Sequence, residues 1–214
     1  MDTLSLLRSG KLAGAKRLDL SCGLEQFPAE IYDLADTLEI LNLSGNALSS
    51  LPHDLPRLRK LRVIFCSDNQ FAQVPEVLGA CSQLDMVGFK ANRIRHLPAA
   101  ALPERLRWLI LTDNQLPELP AALGQCGRLQ KLMLAGNRLQ SLPPEMAACQ
   151  RLELLRISAN RIEALPEWLL ALPRLAWLAF AGNPISDAAE SAAMAKHAIA
   201  HVDWAEIELR HKLD

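Results

Sequence analysis

Two histidines, His197 and His201, stand four residues apart near the end of the 214-residue chain. On a helix that spacing puts both imidazoles on one face, where they could ligate a metal. No third ligand is evident, and two solvated histidines on a helix face is the better reading; no metal is expected. The five cysteines, Cys22, Cys66, Cys81, Cys126 and Cys149, are odd in number and form no CxxC, and four of them fall where equivalent segments carry leucine. They are expected to be buried free thiols, which points to a reducing cytoplasm. Arg138 and Arg161 occupy equivalent places 23 residues apart and could take a phosphate or an acidic side chain, or simply form a solvated edge. No GxGxxG, GxxxxGK[ST], HExxH or GxSxG occurs, so neither catalysis nor a cofactor is expected.

Composition narrows the partners. The chain carries 23 basic and 24 acidic residues, for a net charge of −1, and half of it is hydrophobic. Nothing there favours nucleic acid or an anionic membrane. No apolar run reaches the roughly 18 residues of a membrane span. The opening Met1-Asp2-Thr3-Leu4-Ser5-Leu6-Leu7-Arg8 is too short in its apolar part, and too acidic at its start, to read as a secretory leader. The expected location is the cytoplasm.

Seven asparagines set the organisation: Asn46, Asn69, Asn92, Asn114, Asn137, Asn160 and Asn183, at spacings of 23, 23, 22, 23, 23 and 23. Around each runs LxxLxLxxNxLxxLPxxLxxL, complete in Leu38, Leu41, Leu43, Asn46, Leu48, Leu51-Pro52, Leu55 and Leu58. Elsewhere it is conservatively varied, as in Leu61, Ile64, Cys66, Asn69, Phe71 and Val74-Pro75. A degenerate copy with Leu18, Leu20, Leu24 and Phe27-Pro28 precedes them, for about eight repeats between residues 15 and 185. In LxL both leucines point to one side of a strand. A single such strand cannot bury that face, but stacked neighbours share a continuous core. The asparagines read as a structural ladder, each amide serving backbone groups freed where a strand turns outward. The prolines supply a fixed φ where no ladder N–H is needed.

These motifs resemble the leucine-rich-repeat proteins, specifically the intracellular 23-residue kind with LPxxL, over about four-fifths of the chain. The resemblance implies an α/β solenoid: a right-handed horseshoe with a concave parallel β-sheet, convex turns and helical caps. At about 4.8 Å per parallel strand, eight strands make an inner surface roughly 35 Å long.

Both ends read as caps. Residues 1–14 form the N-terminal one, with an amphipathic helix over 2–13, Asp2 as N-cap, Gly10 as its stop, and Leu4, Leu7 and Leu12 facing the first repeat. Residues 186–214 form the C-terminal cap and tail. Asp187 and Glu190 make a start like a capping box for a helix over 188–200, whose Ala189, Ala193 and Met194 would help cover the last core layer. Beyond it, Trp204, Ile207, Leu209 and Leu213 resemble the lead-in to the first strand of many protein kinases. That likeness implies the leucine-rich-repeat region at the front of a bacterial kinase, regulating the catalytic domain behind it. None of a kinase's catalytic residues is in the chain, so no activity is implied. A free-standing chain is one alternative. A delivered bacterial effector is another, although effector ligases of this type carry shorter repeats and a large separate catalytic domain.

Function is expected where the consensus leaves freedom. The third position of each repeat reads Arg17, Ile40, Val63, Met86, Trp108, Lys131, Leu154, Trp177, and the fifth Asp19, Asn42, Phe65, Gly88, Ile110, Met133, Arg156, Ala179. A face that merely met water would be polar here. Instead Val63, Phe65, Met86, Trp108, Ile110 and Met133 make an apolar patch, rimmed by Asp68, Lys90, Asp113, Lys131 and Arg156. An apolar centre with a charged rim is the anatomy of a protein interface. The expected partner is a protein or peptide; self-association, or covering by the chain's own segments, is the alternative.

Overall fold

Eight three-residue strands carry the LxL motif, and the computed structural model describes residues 2–187. They are β1 Arg17–Asp19, β2 Ile40–Asn42, β3 Val63–Phe65, β4 Met86–Gly88, β5 Trp108–Ile110, β6 Lys131–Met133, β7 Leu154–Arg156 and β8 Trp177–Ala179. All pair in parallel in one sheet, in the order β1 to β8. The register stacks Leu18, Leu41, Ile64, Val87, Leu109, Leu132, Leu155 and Leu178 in one row. All of that row but Leu178 is buried, and Leu41 through Leu155 are covered by repeats on both sides.

Between strands the chain crosses the convex side in short turns, mostly single 3-10 turns such as Ala121–Gln125 and Pro144–Ala148. Only Glu167–Leu170 (α2) is α-helical there. Six of these turns begin after a proline, Pro28, Pro75, Pro98, Pro120, Pro143 and Pro166, with φ between −63° and −71°. The ring holds that angle and no sheet N–H is lost. The one 22-residue repeat leaves the sheet intact: Met86 still pairs with Trp108, and the convex turn behind it is only Ala99–Ala101.

At the N-terminus α1 spans Thr3–Arg8, shorter than the predicted 2–13, and Asp2 Oδ1 accepts from the Ser5 N–H at 2.8 Å. Leu7 is fully buried against the core, while Leu4 and Leu12 are half-buried beside it. Gly10 takes φ +71°, the left-handed conformation that closes a helix. The predicted helix over 188–200, His197 and His201, and the segment from Trp204 to Leu213 lie outside the described residues.

Candidate functional site

The asparagine row holds the turns that carry the concave face. Asn114 shows the pattern: Nδ2 donates to Phe89 O at 2.9 Å in the preceding repeat and to Leu111 O at 3.1 Å in its own, while Oδ1 accepts from Ile94 N at 3.0 Å. Asn69, Asn92, Asn137, Asn160 and Asn183 each accept from one backbone N–H and reach back to a carbonyl of the previous repeat. Asn46, in the second repeat, is half-buried and accepts from both Cys22 and Leu24 of the degenerate first repeat. The residue before each of these asparagines is left-handed: Gly45, Asp68, Ala91, Asp113, Gly136, Ala159 and Gly182, with φ from 53° to 73°. That bend ends each strand after the same number of residues, which keeps the outward columns in register. Asp68 and Asp113 of the predicted rim are therefore turn residues beyond the strands, and both are exposed with Lys90.

The third- and fifth-position side chains line the outward face of the sheet in two rows. In one, strand pairing sets Ile40, Val63, Met86, Trp108, Lys131, Leu154 and Trp177 side by side. In the other it sets Phe65, Gly88, Ile110, Met133 and Arg156 side by side. Most are half-buried, not exposed as isolated outward side chains would be, because strands one ladder spacing apart cover each other's flanks. Leu154 is only 7% exposed and offers less surface than its column predicts.

Two contacts shape the patch. The Phe65 ring leans over Gly88, where an added Cβ would stand 2.6 Å from Phe65 Cδ1. The Lys131 ammonium lies over the Trp108 indole, 3.8 Å from the ring centroid. Both bring neighbouring repeats together, and Gly88 is a residue whose role as the floor under Phe65 no motif announced. Burial holds the Lys131 pKa below the usual lysine range, with Glu153 opposing the shift and Arg107 adding to it. At the first strand Arg17 donates to Asp19 at 2.7 and 2.9 Å, and this pairing first, with Asn42 helping, holds the Asp19 carboxyl below its ordinary pKa.

The remaining candidates are dispersed. Arg138 and Arg161 are exposed, just past the asparagine turns. Cys66, Cys81, Cys126 and Cys149 are buried free thiols, and burial raises their pKa. Cys22 departs from expectation. It is exposed, because it sits in the turn of the degenerate first repeat and not in a leucine position. Among the described residues no group of three or more His, Cys, Asp or Glu is placed to hold a metal, and no helix is long and apolar enough to cross a membrane.

Comparison with known proteins gives two matching family models, "Leucine Rich Repeat" over residues 37–58 and "Leucine rich repeat" over 127–185. The chain is 33% identical over 107 residues to an adenylate cyclase of Podospora anserina, covering 48% of this chain and 5% of that protein. It is 35% identical over 100 residues to the volume-regulated anion channel subunit LRRC8E of Xenopus tropicalis, covering 45% and 12%. It is 44% identical over 54 residues to the "probable serine/threonine-protein kinase roco9" of Dictyostelium discoideum, covering 25% and 2%. The chain thus spans a small part of these relatives. Among solved structures it is similar to a leucine-rich-repeat protein of Leptospira interrogans, with a TM-score of 0.52 and 23% identity over 85% of this chain and 64% of that one. A Listeria monocytogenes internalin matches with a TM-score of 0.59 and 20% identity over 73% and 51%.

Proposed function

Because this chain is a leucine-rich-repeat protein, and such domains are generally protein-interaction modules, we propose that it binds a protein or peptide partner across its concave face. The observation that carries this reading is the apolar row from Val63 and Phe65 through Met86, Trp108, Ile110 and Met133, on a surface where solvent alone would favour polar side chains. Trp and Met are among the residues that anchor interfaces. The relatives share the repeats and differ in everything else their names describe, which fits a binding scaffold and not a shared reaction. We place it in the cytoplasm on its four buried free thiols.

The test is Trp108→Glu against wild type, each used to capture partners while its melting is followed. Loss of a central aromatic anchor weakens binding at least about thirtyfold, from roughly 2 kcal/mol or more. Stability changes by no more than about 1–2 kcal/mol, the worth of the half-buried cation–π contact with Lys131. Partners held equally by both proteins would remove the concave face as the site. A second reading, regulation of an attached or associated kinase, draws on the roco9 similarity and on the Trp204, Ile207, Leu209 spacing. Its check is whether the gene runs past Asp214 into a glycine-rich loop.

A further inference from the structure

Charge is unevenly placed over the outward positions of the eight strands. Their one carboxylate is Asp19 in β1, neutralised by Arg17 of the same strand. From β2 to β8 the outward positions hold no acid and two cations, Lys131 and Arg156. Along the edge where the strands begin, Lys16 pairs with Glu39 at 3.4 Å and Arg62 with Asp85 at 3.3 Å, so that edge offsets its own charge. The opposite rim mixes Asp68, Lys90 and Asp113.

Lys131 differs from all of these. Its ammonium is half-buried on the Trp108 face, and among the described residues no carboxylate comes within 4.0 Å of it. The groups that act on it are Glu153 and Arg107, of opposite sign. A cation taken partly out of water without a close anion is under-compensated. An incoming carboxylate would gain a charge-assisted bond there, strengthened as the partner excludes solvent.

We propose that the concave face takes a peptide segment whose apolar side chains cover Phe65, Trp108 and Ile110 and whose adjacent carboxylate binds Lys131. This rests on the concave-face reading above and adds to it the sign and place of the partner's charge. The apolar run from β3 to β6 crosses three strand spacings, about 15 Å, which suits a chain segment and not a lone small anion. The apolar contacts supply affinity, while the carboxylate sets direction and excludes basic sequences.

The experiment is selection of a displayed random-peptide library on the full 214-residue chain, followed by titration of synthetic winners and their single-residue variants. Wild type should enrich peptides with Asp or Glu at a fixed offset from an aromatic or aliphatic cluster. Replacing that Glu by Gln should weaken binding about tenfold. Lys131→Gln should abolish the tenfold difference, and Lys131→Glu should move the selection to Lys or Arg at the same offset; matching melts would show both variants folded. Winners with no preferred acid, or held equally by Lys131→Gln and wild type, would overturn the carboxylate assignment while leaving the concave site standing. Winners indifferent to Trp108→Glu would overturn the site itself. Failure to enrich any peptide, or a dimer that Trp108→Glu dissociates, would overturn the peptide as occupant.

Discussion

Asn114 has its amide wholly engaged with backbone: three carbonyls accept from Nδ2, and Oδ1 takes the Ile94 N–H. Asn114→Ala strands those groups in a buried turn, and the expected loss is about 1–3 kcal/mol in denaturant or thermal unfolding. An unchanged midpoint would mean that water substitutes for the amide. Thiol chemistry is decided at the same scale. Burial pushes Cys81, Cys126 and Cys149 up to about 11, and Cys66 higher still, while Cys22 is exposed. A thiol reagent near pH 8 should therefore modify Cys22 alone in the folded protein and all five after denaturation. The raised values also set a direction for stability. The unfolded thiols ionise from about pH 9 upward while the buried ones stay protonated. Below that pH the contribution is fully present, and it is lost as pH rises toward 11.

The repeating element works through how closely its convex turns stack. A Cβ on Gly124 would lie 2.3 Å from the Glu145 carbonyl oxygen, and one on Gly79 would lie 2.0 Å from that of Ala100. Both obstacles are backbone, so a side chain cannot swing clear. Gly124→Ala should cost about 1–3 kcal/mol by overpacking, read as a lower unfolding midpoint with the concave face still able to bind. By contrast Gly88 faces a phenyl ring, which can move. These two close approaches explain why glycine sits in some convex turns and alanine or proline in others, a distinction that the hydrophobic period alone does not make.

Across the whole molecule each repeat is buried by its two neighbours, so protection depends on place in the stack. Leu109, Leu132 and Leu155 are 0–1% exposed, whereas the equivalent Leu178 of β8 is half-buried. Hydrogen exchange should be slowest for the amides of β4 to β6 and faster toward β8, since local opening near an end releases fewer contacts. A uniform profile would show the repeats unfolding only as one unit.

The asparagine spacing, the LxL pairs and the prolines specify the number of repeats and the two outward rows, and the resemblance to leucine-rich-repeat proteins implies the parallel sheet. They could do so because a repeat's inward positions must be apolar in every copy, and the register is then forced by stacking. Equal positions in adjacent repeats lie one ladder spacing apart, which is why strand pairing sets Trp108 beside Lys131. Side-chain direction within a row is set by what stands beside it, and there only the tertiary structure could decide. Phe65 lies down because Gly88 leaves a space, Lys131 folds onto an indole instead of reaching solvent, and Leu154 sinks to 7% exposure. Cys22 is the exception: its exposure follows from its own place in the turn, which is also exposed at the equivalent Gly45, Asp68 and Asp113. The Phe65 and Lys131 outcomes each depend on a residue 23 positions away in the chain, brought adjacent by the coil and invisible to any local pattern.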